Sequence, residues 1–98
     1  MREKIKLALR KVSTSSKLDE EIDDTIAACY ADMQRVGIKI PYTETGTISK
    51  TFEKRALIIE CQKLYAKWKF NFEGEAERYE RAYICCRDAL SLSGEYNA

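Results

Sequence analysis

The chain contains no histidine, one proline (Pro41), four glycines and a single tryptophan in 98 residues. Each shortage removes a class of function. Without histidine a catalytic thiol lacks its usual general base. A structural zinc site would have to be built from all four thiolates, Cys29, Cys61, Cys85 and Cys86, and no CxxC pair supplies the spacing. Too few glycines occur in any one place to form a phosphate-cradling loop or a nucleophile elbow. No apolar run approaches the ~20 residues that cross a bilayer. The start, Met1-Arg2-Glu3-Lys4, is charged and carries no signal-peptide pattern, so the expected compartment is a cytoplasm, where the cysteines are free thiols. The formal net charge is only +1, which leaves no global field to hold the protein on DNA or an anionic membrane.

What is present is helical pattern. Hydrophobic residues are 45% and charged residues 34%, the balance of a globular domain. A chain of this length makes one domain that buries roughly two-thirds of its unfolded surface, enough for one core. The expected fold is all-α, a small bundle of about four helices with a long loop between helices two and three.

The first helix is predicted over residues 2–11, with Ile5, Ala8, Leu9 and Val12 as a narrow stripe. Ser13 to Ser16 break it, since their hydroxyls compete for backbone groups, and Ser16 with Asp19 resembles a capping box. The second spans 18–36. Leu18, Ile22, Ile26, Cys29, Tyr30, Met33 and Val36 repeat near 3.6, acids crowd its first turns, and Gly37 is placed to end it. Residues 38–49 read as a loop. Ile38, Ile40, Tyr42 and Ile48 fall at even steps, as a short extended piece would require, and Pro41 confines any strand to an edge.

The third helix is predicted over 51–70 with two apolar faces. Leu57, Cys61, Leu64, Tyr65 and Trp68 share one; Phe52, Ala56, Ile59, Ala66 and Phe70 lie roughly opposite. Such a helix is either central to the bundle or shows its second face to another molecule. A turn at 71–74 leads to the fourth helix, 75–90, with Ala76, Tyr79, Ala82, Tyr83, Cys86 and Leu90 inward and Ile84 off the stripe. Residues 91–98 form a polar tail, expected to be flexible.

Candidate chemistry is thin. Cys29, Cys61 and Cys86 lie on helix stripes, where a free thiol acts as a small buried hydrophobe. The acids cluster at helix starts, with no isolated pair in an apolar setting. Basic character is local: Arg2 to Lys17 carries six basic residues against Glu3, and Lys67-Trp68-Lys69-Phe70 interleaves base with aromatic. Lys63, Lys67 and Lys69 are therefore candidate DNA-facing residues, while long stems covering apolar rows are the plainer explanation. The basic first helix and the acidic start of the second can pair within one chain or head to tail between copies.

The back half then becomes recognisable. Phe52-Glu53-Lys54-Arg55-Ala56-Leu57-Ile58-Ile59, Tyr65-Ala66-Lys67-Trp68, Phe72, Tyr79-Glu80-Arg81-Ala82-Tyr83 and, most specifically, Leu90-Ser91-Leu92-Ser93-Gly94-Glu95-Tyr96 resemble the small head–tail connector (head-completion, DNA-packaging adaptor) proteins of long-tailed bacteriophages and prophages. The front half agrees in style. The resemblance implies a helical protein that catalyses nothing and needs no cofactor. It implies a ring of about a dozen copies docked on the phage portal protein after packaging. That ring extends the DNA channel and offers a platform to the next head-completion or tail-terminator protein. DNA would pass without sequence-specific binding and no membrane is involved. The chain would assemble in the bacterial host cytoplasm and end at the virion head–tail junction. On this reading Tyr42, Ile48, Phe52, Ile59, Ile84, Leu90, Leu92 and Tyr96 are the candidate partner and oligomer contacts, because apolar anchors in polar segments suit docking. The alternative is a small helical DNA-binding module, although no basic recognition helix of helix–turn–helix type is evident. A third reading, a redox or metal protein, would rest on the cysteines.

Overall fold

A computed structural model of the chain describes residues 1–10, 16–42 and 46–93. Among these residues there are five α-helices: α1 (Arg2–Ala8), α2 (Ser16–Arg35), α3 (Lys50–Glu53), α4 (Ala56–Lys69) and α5 (Ala76–Leu92), with a short 3-10 turn at Phe72–Gly74. Four have seven residues or more. No strand occurs among the described residues; Ile38 is a bridge residue, and Tyr42 and Ile48 form an isolated antiparallel bridge. The all-α bundle expected from periodicity is the fold.

The end of α2 shows local sequence acting directly. Gly37 sits at φ 98°, a left-handed conformation that costs glycine nothing. Its N–H bonds to the Gln34 carbonyl and the Ile38 N–H to the Met33 carbonyl, each at 3.1 Å. This pair of hydrogen bonds is a Schellman stop, and it carries Ile38 back onto Met33 in the core. Beyond it Ile38 and Ile40 are buried and Lys39 is exposed, the alternation of an extended segment. The Ser49 N–H closes the loop on the Pro41 carbonyl at 2.9 Å.

Helix α4 is the central helix. It packs against α1, α2, α3, α5 and the 3-10 turn, and three of its sides are used. Cys61 meets Cys86 of α5. Ile58, Gln62 and Tyr65 are buried, and the Gln62 Nε2 donates to the Ile26 carbonyl of α2 at 3.2 Å. Ala66 joins Ile5, Leu9 and Ile22 in a small core under α1. The larger core gathers Cys29, Tyr30, Met33, Ile58, Cys61, Tyr65, Tyr83 and Leu90 with Ile38, Ile40 and Phe52 from the loop side.

Four details differ from the sequence reading. The helix predicted over 51–70 is two helices, broken at Lys54 and Arg55; Arg55 is extended, at φ −66° and ψ 133°. In one continuous helix Phe52 would lie about 120° around from Ile58. The break lets both be buried in the same core, with Phe52 against Tyr30 at 6.2 Å between ring centroids. Leu57, expected to point inward, is 53% exposed, and its neighbour Ile58 is buried instead. Helix α1 ends at Ala8, sooner than predicted; Val12 and Ser13 to Ser15 lie outside the described residues. Helix α5 continues through Ser91 and Leu92, so the expected tail starts later, and residues 94–98 are not among those described.

The thiols report on this core. Cys29 and Cys61 are buried, Cys86 is half-buried and Cys85 is exposed. Burial, with the nearby Asp32 charge, pushes the Cys29 thiol up to about 12. Cys61 is pushed well above the ordinary thiol range by its contact with Cys86, 2.7 Å away, and then by burial. Only thiolates alkylate quickly. Cys61 holds the half-buried Cys86 thiol below its ordinary range, and Cys85 is exposed, so iodoacetamide at neutral pH should modify these two first and leave Cys29 and Cys61 untouched until denaturant is added, as read by peptide mass spectrometry. Early labelling of Cys29 would mean that α2 does not pack as described.

Candidate interaction surfaces

The charged side chains of α1 and α2 meet first within the chain. Arg2 pairs with Asp23 and, at 3.6 Å, with Asp19; Lys6 pairs with Asp19. The Arg2 hydrogen bond holds the Asp23 carboxyl below its usual range. Arg10, in the left-handed region at φ 57°, reaches Glu73 at 3.7 Å. Much of the basic character of the first helix is thus spent internally.

The three candidate DNA-facing lysines are not brought into one patch. Lys63 and Lys67 are four residues apart and share a side of α4. Lys69 lies about 200° around from Lys67. The Lys67 Nζ sits 5.2 Å from the Phe72 ring centroid and 5.4 Å from that of Tyr79, and the Lys69 Nζ lies 3.7 Å over Trp68. Both ammonium groups therefore rest on the negative faces of aromatic rings, the stem-and-head packing expected of a structural face.

The candidate contact residues fall into separate places. Tyr42, 50% exposed, and the half-buried Ile48 are joined by their bridge at the edge of a groove of about 460 Å³. Met1, Arg2, Asp23, Tyr30 and Glu53 also line that groove. The half-buried Ile59 lies in a second groove, between α1 and α4. Leu92 is 85% exposed at the end of α5. Phe52 and Leu90 are buried in the chain's own core and Ile84 packs against it, so in this conformation Phe52 and Leu90 have almost no free area to offer. Tyr96 lies outside the described residues. Among the described residues Leu7, 78% exposed, and Leu57 are the other large apolar side chains on the surface. Sequence reasoning missed both as surface residues. The signal for Leu7 was available: it falls between Ile5 and Leu9, off the stripe that both occupy.

A polar network joining α2 to α5 was also missed. Asp32 accepts from the Tyr83 hydroxyl at 2.7 Å, from Arg87 at 3.0 Å and from Arg35 at 2.8 Å. Partial burial pushes the Asp32 carboxyl up, but these three donors outweigh it and hold the pKa below its ordinary 3.8. The Tyr83 hydroxyl is driven up, first by burial and then by Cys29 and Asp32. Tyr83 and Arg87 of α5 both meet the Asp32 carboxylate of α2, so the network clamps the two helices together. Among the described residues no group of three or more metal-ligating side chains is placed to hold a metal, and no helix is long and apolar enough to cross a membrane.

No curated protein and no solved structure matches this chain. The match that exists is to a family: residues 1–97 fit the phage connector protein family. A match over nearly the whole chain, on an all-α fold whose exposed apolar residues are scattered over its surface, places this protein in the phage connector protein family.

Proposed function

We propose that the chain is a structural subunit of the phage head–tail junction. Copies dock on the portal as a ring of about a dozen, extend the DNA channel toward the tail and present a platform to the next head-completion or tail-terminator protein. Assembly takes place in the host cytoplasm. The observation that carries this reading is the family match over residues 1–97. The surface agrees with it: Leu7, Tyr42, Leu57 and Leu92 are large, apolar and exposed, as suits side chains that are covered on assembly. The near-zero net charge suits a wall along which DNA slides without being held.

The test is co-sedimentation of the purified chain with the portal ring of the same phage and with DNA-filled heads. Stoichiometric pelleting is expected, with the band ratio counting the copies. Failure to pellet with either would remove the reading. Leu92→Ala and Tyr96→Ala should lower pelleting. Leu92→Ala should also leave stability within about 0.5 kcal/mol, as for most exposed positions. A large fall in melting temperature for Tyr96→Ala would make Tyr96 a core residue and not an anchor.

A further inference from the structure

Internal pairing uses one side of α1 and leaves the other bare. Arg2 and Lys6 are taken by Asp19 and Asp23. Lys4, Leu7 and Ala8 instead line the groove of about 620 Å³ that α1 shares with α4, where Ala56, Ile59 and Lys63 form the far wall. Leu7 stands at its edge, 78% exposed. Its one acidic lining residue is Glu60, and neither Lys4 nor Lys63 has an ion-pair partner among the described residues.

Helix α2 shows the converse. Glu20, Glu21 and Asp24 are exposed and have no ion-pair partner among the described residues. Asp24 rims a shallow groove of about 270 Å³, lined also by Thr25, Ala28, Tyr65 and Lys69. One face is an apolar groove with two unpaired lysines and a projecting leucine. The other is a small-residue helix face with unpaired acids beside a shallow apolar groove. They lie on different elements of the same chain, so every copy carries both halves of one contact.

We infer that these faces bind each other between copies. The α1–α4 groove of one copy receives α2 of the next, Lys4 and Lys63 come opposite Glu20 and Asp24, and Leu7 seats in the groove beside Ala28 and Tyr65. Such a contact is heterologous, and it closes into a ring when the rotation per copy divides a full turn. The residual charges choose the partner: like faces repel, and only unlike faces cover the exposed leucine. The inference rests on the ring assembly proposed above and names its interface.

Reciprocal charge reversal on the full chain tests it, with the portal ring as template. The double variants Lys4→Glu with Lys63→Glu, and Glu20→Lys with Asp24→Lys, should each pellet with the portal about tenfold less than the unaltered chain, the effect of ~1.4 kcal/mol per contact. Both should keep the melting temperature within a few degrees, since Lys4, Glu20 and Asp24 are exposed and the half-buried Lys63 lies at the open groove. An equimolar mixture should recover pelleting, because alternating copies restore opposite charges at every junction. Carbodiimide coupling of a mixture of ¹⁴N and ¹⁵N chains should join Lys4 or Lys63 of one isotope to Glu20 or Asp24 of the other. Normal pelleting by both double variants, or inter-copy cross-links only elsewhere, would overturn the interface and leave the ring standing. If the unaltered chain neither pellets nor cross-links, the ring and its interface fall together.

Discussion

Tyr83→Ala is expected to lower the melting temperature by about 20 °C. Tyr83 is fully buried on α5. Its ring meets Tyr65 edge-on at 5.0 Å and Trp68 at 6.1 Å between centroids, and the Arg87 guanidinium lies 5.8 Å over it. Removing such a ring forfeits its transfer energy and leaves a cavity, together about 4 kcal/mol. The Asp32 carboxylate loses a donor as well. A domain of this size holds only about 5–15 kcal/mol in total, and each kcal/mol is worth about 4–8 °C at this length. Tyr83→Phe separates the two contributions. It keeps the ring and loses one hydrogen bond to a charged acceptor that retains both arginines, so about 1.5 kcal/mol is expected. If Tyr83→Ala and Tyr83→Phe melt together, the ring is not packed between α4 and α2 as described.

Asp32→Ala is expected to cost about 2 kcal/mol at neutral pH. The cost is below that of breaking a fully buried ion pair because the Asp32 side chain is 21% exposed to water. Its removal leaves the Tyr83 hydroxyl with only the weak Cys29 thiol contact at 3.9 Å and leaves Arg87, only 14% exposed, with Asp88 as its remaining partner. The contribution depends on pH with a definite sign. The folded state holds the Asp32 pKa below its ordinary 3.8. A depressed carboxylate stabilises the fold fully above the unfolded value and loses that stabilisation as pH falls through the folded one. The stability gap between the unaltered chain and Asp32→Asn should therefore be constant above about pH 5 and close as pH falls below 3.8. Asp23, lowered by Arg2, keeps a shallower acid slope in both proteins. Urea titrations at pH 7, 5, 4 and 3 would show it, and a gap that widens toward acid would mean that Asp32 does not serve as an acceptor in the fold.

The candidate surface was legible only in part. Tyr42 and Leu92 were readable because each is an apolar residue set among polar ones. Phe52 and Leu90 each sit on a predicted helix stripe as well as among the candidate contacts, and the structure buries both. Whether an apolar residue off a main stripe faces solvent or core depends on what packs beside it, and a single chain's spacing does not contain that. The same holds for charge. Lys4 and Lys6 are alike in sequence; Lys6 finds Asp19 on α2 and Lys4 finds no ion-pair partner among the described residues.

By itself the sequence determined the helical class, the Gly37 stop, the inward face of α2, the burial of Cys29 and Cys61 and the alternation through Ile38 and Ile40. These follow from periodicity and backbone chemistry within a few residues, and such rules need no knowledge of the partner element. The tertiary structure alone decided the break at Lys54 and Arg55, the exchange of Leu57 for Ile58 in the core, and the joining of Asp32 to Tyr83 and Arg87. It also decided which of the first helix's cations are left over. In each case the deciding contact joins residues far apart in the chain. A helix packed on three sides fills whichever inward positions its neighbours leave open, so spacing along one helix does not tell which of two adjacent apolar residues is buried.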